Sequence, residues 1–239
     1  NKPKDYLNDE HLSIGTREYL RVLNAGGRPV ESLPVAEARK VLADVQAAVE
    51  VDLSGIDERE REIVADGHAL TLHLVRPHGS RGRPPYFVFI HGGGWVLGDY
   101  PTHRRLVRDL VVESEVAAVF VDYTPSPEAK YPQAVDEIYA AVKWVAENDA
   151  ELDLDRRRMA LVGNSAGGNM ALAAALLAKK RHAPAVRALV LLWPVTSASS
   201  DWKSYALYGG ERFLTAPLMK WMFDRYTTDA RAREEILLS

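Results

Sequence analysis

Four short apolar runs constrain this chain more than anything else in it: Phe87–Ile90, Val116–Val121, Ala160–Val162 and Ala188–Leu192. Three helical patterns separate them, at about 103–113, 132–148 and 166–181. The runs are continuously apolar rather than alternating, the mark of strands buried on both faces. Strands spaced by helices must pair in parallel, through right-handed crossovers. The predicted fold class is therefore α/β, an open and mostly parallel sheet flanked by helices. Such a sheet gathers ligands at the carboxyl ends of its strands.

The flanking regions read differently. Leu7, Leu12, Leu20 and Leu23 outline a weak helical pattern over residues 5–24, which Gly26-Gly27 and Pro29 break. After Pro34, Val35, Ala38, Val41, Leu42, Val45, Ala48 and Val49 recur at threes and fours, predicting a helix with one apolar face. Residues 63–76 read as a hairpin about Asp66-Gly67. There Leu70, Leu72 and Leu74 alternate with Thr71, His73 and Val75, so His73 is expected to point outward. Beyond residue 200, aromatic and aliphatic residues crowd a stretch in which Thr215 and Pro217 mark a helix start. Its apolar positions cover more than one stripe, so one face can pack on the sheet while another lines a pocket. Trp221 and Met222 are the candidate substrate-binding side chains, since pockets are mostly apolar. The chain divides into N-terminal cap helices (1–55), an α/β core (56–197) and a second cap segment (198–239).

Two motifs fall just beyond predicted strand ends. Gly163-Asn164-Ser165-Ala166-Gly167, followed by Gly168, joins the third run to the third helix. Small residues allow a tight strand-to-helix elbow that exposes the serine as a nucleophile. The blander reading is a serine that merely caps the helix. His91-Gly92-Gly93-Gly94-Trp95 follows the first run. Successive glycines let backbone N–H groups turn toward a developing oxyanion, joined there by the N–H of Ala166. The candidate site is Ser165 with Gly93, Gly94 and Ala166; His91, held in the loop ahead of the nucleophile, reads as structural.

On these residues the chain resembles the hormone-sensitive-lipase-like branch of the α/β-hydrolases, the bacterial family IV esterases. The resemblance runs from about residue 60 to 196. It rests on HGGGW, Asp122-Tyr123 with Pro127-Glu128 and Tyr131-Pro132, GNSAGG, and Trp193-Pro194-Val195. It implies an α/β-hydrolase core with a helical cap, and hydrolysis of short acyl esters through an acyl-enzyme on Ser165. Gly93, Gly94 and Ala166 would serve the oxyanion, with no metal or cofactor. A hydrolase-like receptor or inactive binding protein lacking the triad His (gibberellin receptors are such relatives) and an amidase or deacetylase stay open.

The sequence departs from that family in three places. Asn164 stands where the family usually has Asp. Thr124-Pro125-Ser126 stands where Arg-Leu-Ala is usual, which removes a common arginine pairing. The family's triad acid and His lie downstream of the cap segment, whereas the only His after Ser165 is His182, beside Lys179-Lys180-Arg181 and expected at the surface. The expectation is that the core resumes after Ser239 with two C-terminal strands carrying the acid and His, and that Ala188–Leu192 stands as a sheet edge without them.

Composition narrows the rest. There is no cysteine, so disulfides and thiol catalysis are excluded. The net charge of −3 and scattered basic residues give no footprint for nucleic acid or an anionic membrane. No apolar stretch approaches a membrane span and no signal-peptide pattern opens the chain. The expected partner is a small-molecule acyl ester, the expected location cytoplasmic, and a homodimer is allowed.

Overall fold

The computed structural model describes residues 5–239; the first four residues of the expected 1–55 segment lie outside it. Its centre is a six-stranded sheet in the order β1-β2-β4-β3-β5-β6. The strands are β1 (Ile56–Ala65), β2 (His68–Pro77), β3 (Tyr86–Ile90), β4 (Ala117–Asp122), β5 (Met159–Asn164) and β6 (Ala188–Leu192). β3 to β6 run parallel, while the β1–β2 hairpin joins antiparallel beside β4. Every residue of β3 is buried, as continuous apolarity requires of a strand covered on both faces. β6 forms the other edge of the described sheet, with Val190 43% exposed.

The helices α3 (Tyr100–Ser114), α4 (Gln133–Glu147) and α5 (Ala166–Lys180) make the crossovers. α4 and α5 pack together on the face that carries Leu70, Leu72, Leu74, Val88 and Leu161. α3 covers the opposite face, over Val75, Phe87 and Phe120. α1 (Ile14–Asn24), α2 (Val35–Ala47), α6 (Lys203–Tyr208) and α7 (Ala216–Tyr226) lie outside this frame in sequence. Among the described residues no helix is long and apolar enough to cross a membrane.

Three expectations change. The hairpin turns at Asp66-Gly67, both at positive φ (47° and 85°), but β1 starts at Ile56 rather than near 63. Its first half, Asp-Glu-Arg-Glu-Arg-Glu after Ile56, has no apolar period to read; alternating charges suit an exposed sheet edge that must not recruit another strand. The helix expected over 5–24 begins only at Ile14. Asp5 and Asp9 instead accept the N–H groups of Leu7 and His11, so side-chain-capped turns compete with helix before Ser13 caps it. His73 does not point into water. α3 lies across its face, its ring stacks on Tyr100 at 4.0 Å, and its Nε2 meets Asp122 Oδ2 at 2.7 Å.

Candidate active site

Ser165 stands between the end of β5 and the start of α5, at φ 54° and ψ −123°. A non-glycine residue rarely holds positive φ, and strain of this kind persists only where the surroundings over-determine it. Here they do. Ser165 N donates to Leu192 O at 2.9 Å, so the end of β6 grips the elbow. Ser165 O accepts from Asn169 N at 3.1 Å and Val195 N at 3.2 Å. The turn also needs bare backbone on either side. A Cβ on Gly163 would strike Gly167 O, and one on Gly167 would strike Ile90 O.

The glycine loop lies against this elbow. A Cβ on Gly92 would come within 3.0 Å of Ser165 Cβ. Gly93 and Gly94 hold φ of 118° and 61°, and their N–H groups make no hydrogen bond among the described residues. Ala166 opens α5, where the first N–H groups have no intrahelical partner and the helix dipole is positive. The structure thus brings Ser165, Gly93, Gly94 and Ala166 to one place at the carboxyl ends of β3 and β5. Trp95, at φ 64°, follows in the loop; its buried ring stacks on Tyr226 of α7 at 4.6 Å.

His91 is no proton acceptor for Ser165. It is 2% exposed, stacks between Tyr123 and Phe120, and its Nδ1 reaches Gly92 O at 2.7 Å. Burial, reinforced by nearby His103, pushes its pKa down to about 3, so the ring is neutral throughout the useful pH range. His182 is exposed at the far end of α5, about 22 Å of helix from Ser165. Among the described residues no imidazole hydrogen-bonds the Ser165 hydroxyl.

A cavity of about 760 Å³ opens at Ser165. Trp193, Pro194 and Val195 form one wall; Trp202, Tyr205 and Tyr208 of the α6 region, with Leu214, Ala216 and Met219, form the others. The aromatic stretch does line a pocket, but Trp221 and Met222 are not on its wall. Position along α7 decides this: Ala216 and Met219, in its first turn, reach the cavity, while Trp221, Met222, Phe223 and Tyr226, further along, are buried. Met222 lies so close to Gly94 that any Cβ there would meet its Sδ. Arg225 covers the Trp221 ring at 3.9 Å.

The N-terminal segment supplies a residue that the sequence did not single out. Arg39 of α2 donates to Val96 O (2.8 Å) and Ser126 O (2.9 Å), and forks onto both carboxylate oxygens of Glu128. Arg39 thus ties α2 to the segment after Thr124-Pro125 through Ser126 and Glu128.

The profile of the α/β hydrolase fold family matches residues 87–239. The chain belongs to this family, in its hormone-sensitive-lipase-like branch. The solved structure of a thermostable esterase from Pseudomonas putida is 52% identical, with a TM-score of 0.94 over 95% of this chain and 72% of that one. A hyperthermophilic esterase from Pyrobaculum calidifontis is 31% identical, with a TM-score of 0.88 over 95% of this chain and 74% of its own. An ethyl acetate hydrolase of Pseudomonas putida is 31% identical over 222 residues, 88% of this chain and 69% of that protein. A Mycobacterium tuberculosis carboxylesterase is 37% identical over 147 residues, 61% of this chain and 46% of that protein. The α/β hydrolase described here therefore spans roughly half to two-thirds of the length of its curated relatives.

Proposed function

We propose that this α/β hydrolase belongs to a carboxylesterase that cleaves short acyl esters, with Ser165 as nucleophile. The observation that carries the reading is the strained Ser165 elbow set directly against Gly92–Gly94. Ser165 Oγ attacks the ester carbonyl, and its proton passes to an imidazole. The carbonyl oxygen gains negative charge and is held by the N–H groups of Gly93, Gly94 and Ala166, fixed dipoles that need no reorganisation. The alcohol leaves with a proton, and water releases the acyl group from Ser165. The proposal carries one requirement: an imidazole must reach Ser165 Oγ, and among the described residues none hydrogen-bonds it. The apolar cavity fits a small ester, with Trp193 and Met219 in its wall; Met222 shapes the site through Gly94 rather than as wall. Relatives named as esterases, including one named for ethyl acetate, support the substrate class.

The test uses the full-length gene product with p-nitrophenyl acetate and butyrate, anilide counterparts, and a fluorophosphonate that labels activated serines. Ester turnover and labelling that both vanish in Ser165→Ala, at an unchanged melting temperature, are the expected result. Activity retained in Ser165→Ala overturns the nucleophile. Preferred anilide cleavage makes the protein an amidase, and tight ester binding without turnover makes it a receptor.

A further inference from the structure

The last residue of β5, just before the nucleophile, is one of the places where this chain departs from its family, and it has a distinct set of partners. Asn164 ends β5 and is 8% exposed. Its Oδ1 accepts the N–H of Gly92 at 2.9 Å. Its Nδ2 stands 3.3 Å from His103 Nε2 on the first turn of α3. His103 Nδ1 lies 3.0 Å from Thr102 Oγ1 and 3.3 Å from Asp99 O. Proton directions follow from the one group that has no choice. A backbone N–H only donates, so the amide oxygen of Asn164 faces Gly92 and its NH2 faces His103. Nε2 must then present a lone pair, which leaves the ring proton on Nδ1, toward the Asp99 carbonyl. The chain of hydrogen bonds runs one way through loop, elbow and helix.

We propose that Asn164 and neutral His103 form a positioning pair that holds the Gly92–Gly94 loop in register with Ser165. The proposal rests on the esterase reading for its catalytic consequence but not for its structure. A proton on Nε2 would set two donors face to face, Nε2–H against the Asn164 NH2. Asn164 would have to turn its amide, and Gly92 N–H would lose its acceptor in a buried place. The titratable groups facing His103 are Asp99 on its own helix and His91 from the loop, whose ring is 5.2 Å away. Burial holds His103 below its ordinary pKa despite Asp99, so the ring stays neutral where the pair must work. An aspartate at 164 would keep the bond to Gly92 but aim its second oxygen at Nε2. That oxygen needs a proton on Nε2, which the neutral Nε2–H tautomer supplies if Nδ1 accepts from the Thr102 hydroxyl and an imidazolium supplies with both nitrogens donating; the carboxylate charge favours the imidazolium and so raises the pKa of the ring.

The experiment compares the full-length protein with Asn164→Ala, Asn164→Asp and His103→Phe, reading kcat and KM on p-nitrophenyl butyrate across pH 5–9. Nitrogen-15 spectra of the histidine rings are recorded alongside, with His103→Phe assigning the His103 signals. Wild type should show His103 as the neutral Nδ1–H tautomer. Asn164→Ala should lower kcat about tenfold or more, with KM within about twofold, because the donors of an oxyanion hole act in the transition state. Asn164→Asp should raise the His103 pKa by at least one unit and keep a larger share of kcat than Asn164→Ala. An Nε2–H tautomer in wild type, an unshifted His103 in Asn164→Asp, or wild-type kcat in Asn164→Ala would overturn the pair. If wild type hydrolyses no ester, the esterase reading fails, while the tautomer and the shift still decide the pair.

Discussion

The elbow and the mouth of the cavity are built to different tolerances. At the elbow, backbone meets backbone: Gly163 against Gly167, Gly167 against Ile90, Gly92 against Asn164. At the mouth, side chains face open space. Trp193, Trp202 and Leu214 are exposed, and Gly210, next to the lining Gly209, has nothing near the place a Cβ would occupy. Backbone cannot rotate out of the way, whereas a side chain at a rim can. The geometry of the candidate site is therefore fixed by the fold, and what could enter it is set by groups that can change without unfolding the protein.

The sharpest way to break that contrast is a single methyl group. Gly167→Ala should be among the most damaging small substitutions in the chain, because its Cβ would strike the carbonyl of Ile90 and lie 2.5 Å from His91 C. Neither can move without shifting β3, so the expected loss is about 4 kcal/mol or more, or no soluble protein at all. Gly210→Ala at the mouth should melt within a degree or two of wild type. Equal melting temperatures for the two variants would end the distinction.

A second test uses acid. His91 is buried neutral at the elbow, its pKa pushed down from the ordinary value to about 3 by desolvation first and by His103 second. The unfolded chain takes up a proton near pH 6.5 and the folded chain does not, so stability is fully present above that pH and is lost as pH falls. Each unit between pH 6.5 and 4.5 should cost about 1.4 kcal/mol from His91. Carboxylates such as Glu128, held down to about 2 by the Arg39 fork, enter only below this window. Urea titrations at pH 6.5, 5.5 and 4.5 measure the slope, and His91→Phe should reduce it, leaving the share from His103, which burial also holds below its ordinary pKa. An unaltered slope in that variant would place the acid sensitivity elsewhere.

How much of this was legible in the sequence follows the same division. Glycine and serine identities report backbone conformation directly, so the elbow, the loop and the Asp66-Gly67 turn could be read from letters alone. The parallel strands were legible because burial on both faces leaves a continuous apolar run. β1 was half missed since a charged edge strand carries no apolar period. His73 was misplaced because alternation shows which residues share a face, not whether a helix covers that face. In α7 the apolar residues surround most of the helix, so the pattern showed a buried element that meets a pocket but not that Ala216 and Met219 are the residues that reach it. The Arg39 bridge could not have been found: its partners lie 57 to 89 residues away and follow no period.

That bridge gives the third test. Arg39 is the polar tie between α2 and the loop after the glycines, through Val96 O, Ser126 O and the Glu128 carboxylate. Its side chain is partly shielded, so the fork should be worth more than an open surface pair, and removing it leaves two carbonyls short of a donor. Arg39→Ala should cost about 1–2 kcal/mol in chemical denaturation. Arg39→Lys should recover only part, since a point charge cannot fork onto a carboxylate and reach two carbonyls together. A variant as stable as wild type would reduce the N-terminal helices to passengers on the core.

The smallest effect on stability should come from the cavity wall, where the effect on selectivity should be clear. Met219 is half-buried and faces the cavity from α7, one turn before the Met222 that touches Gly94. Met219→Trp puts bulk into the cavity without touching backbone, so melting should shift by the equivalent of about 0.5 kcal/mol or less. Longer acyl chains would then lose space that acetate never used. A lost methylene fit is worth about 1–3 kcal/mol, so the preference for acetate over hexanoate esters should rise about tenfold in kcat/KM. Met222→Trp should instead damage both substrates alike, because that side chain presses on the oxyanion loop. If Met222→Trp alters chain-length preference and Met219→Trp does not, the roles of these two turns of α7 have been assigned the wrong way round.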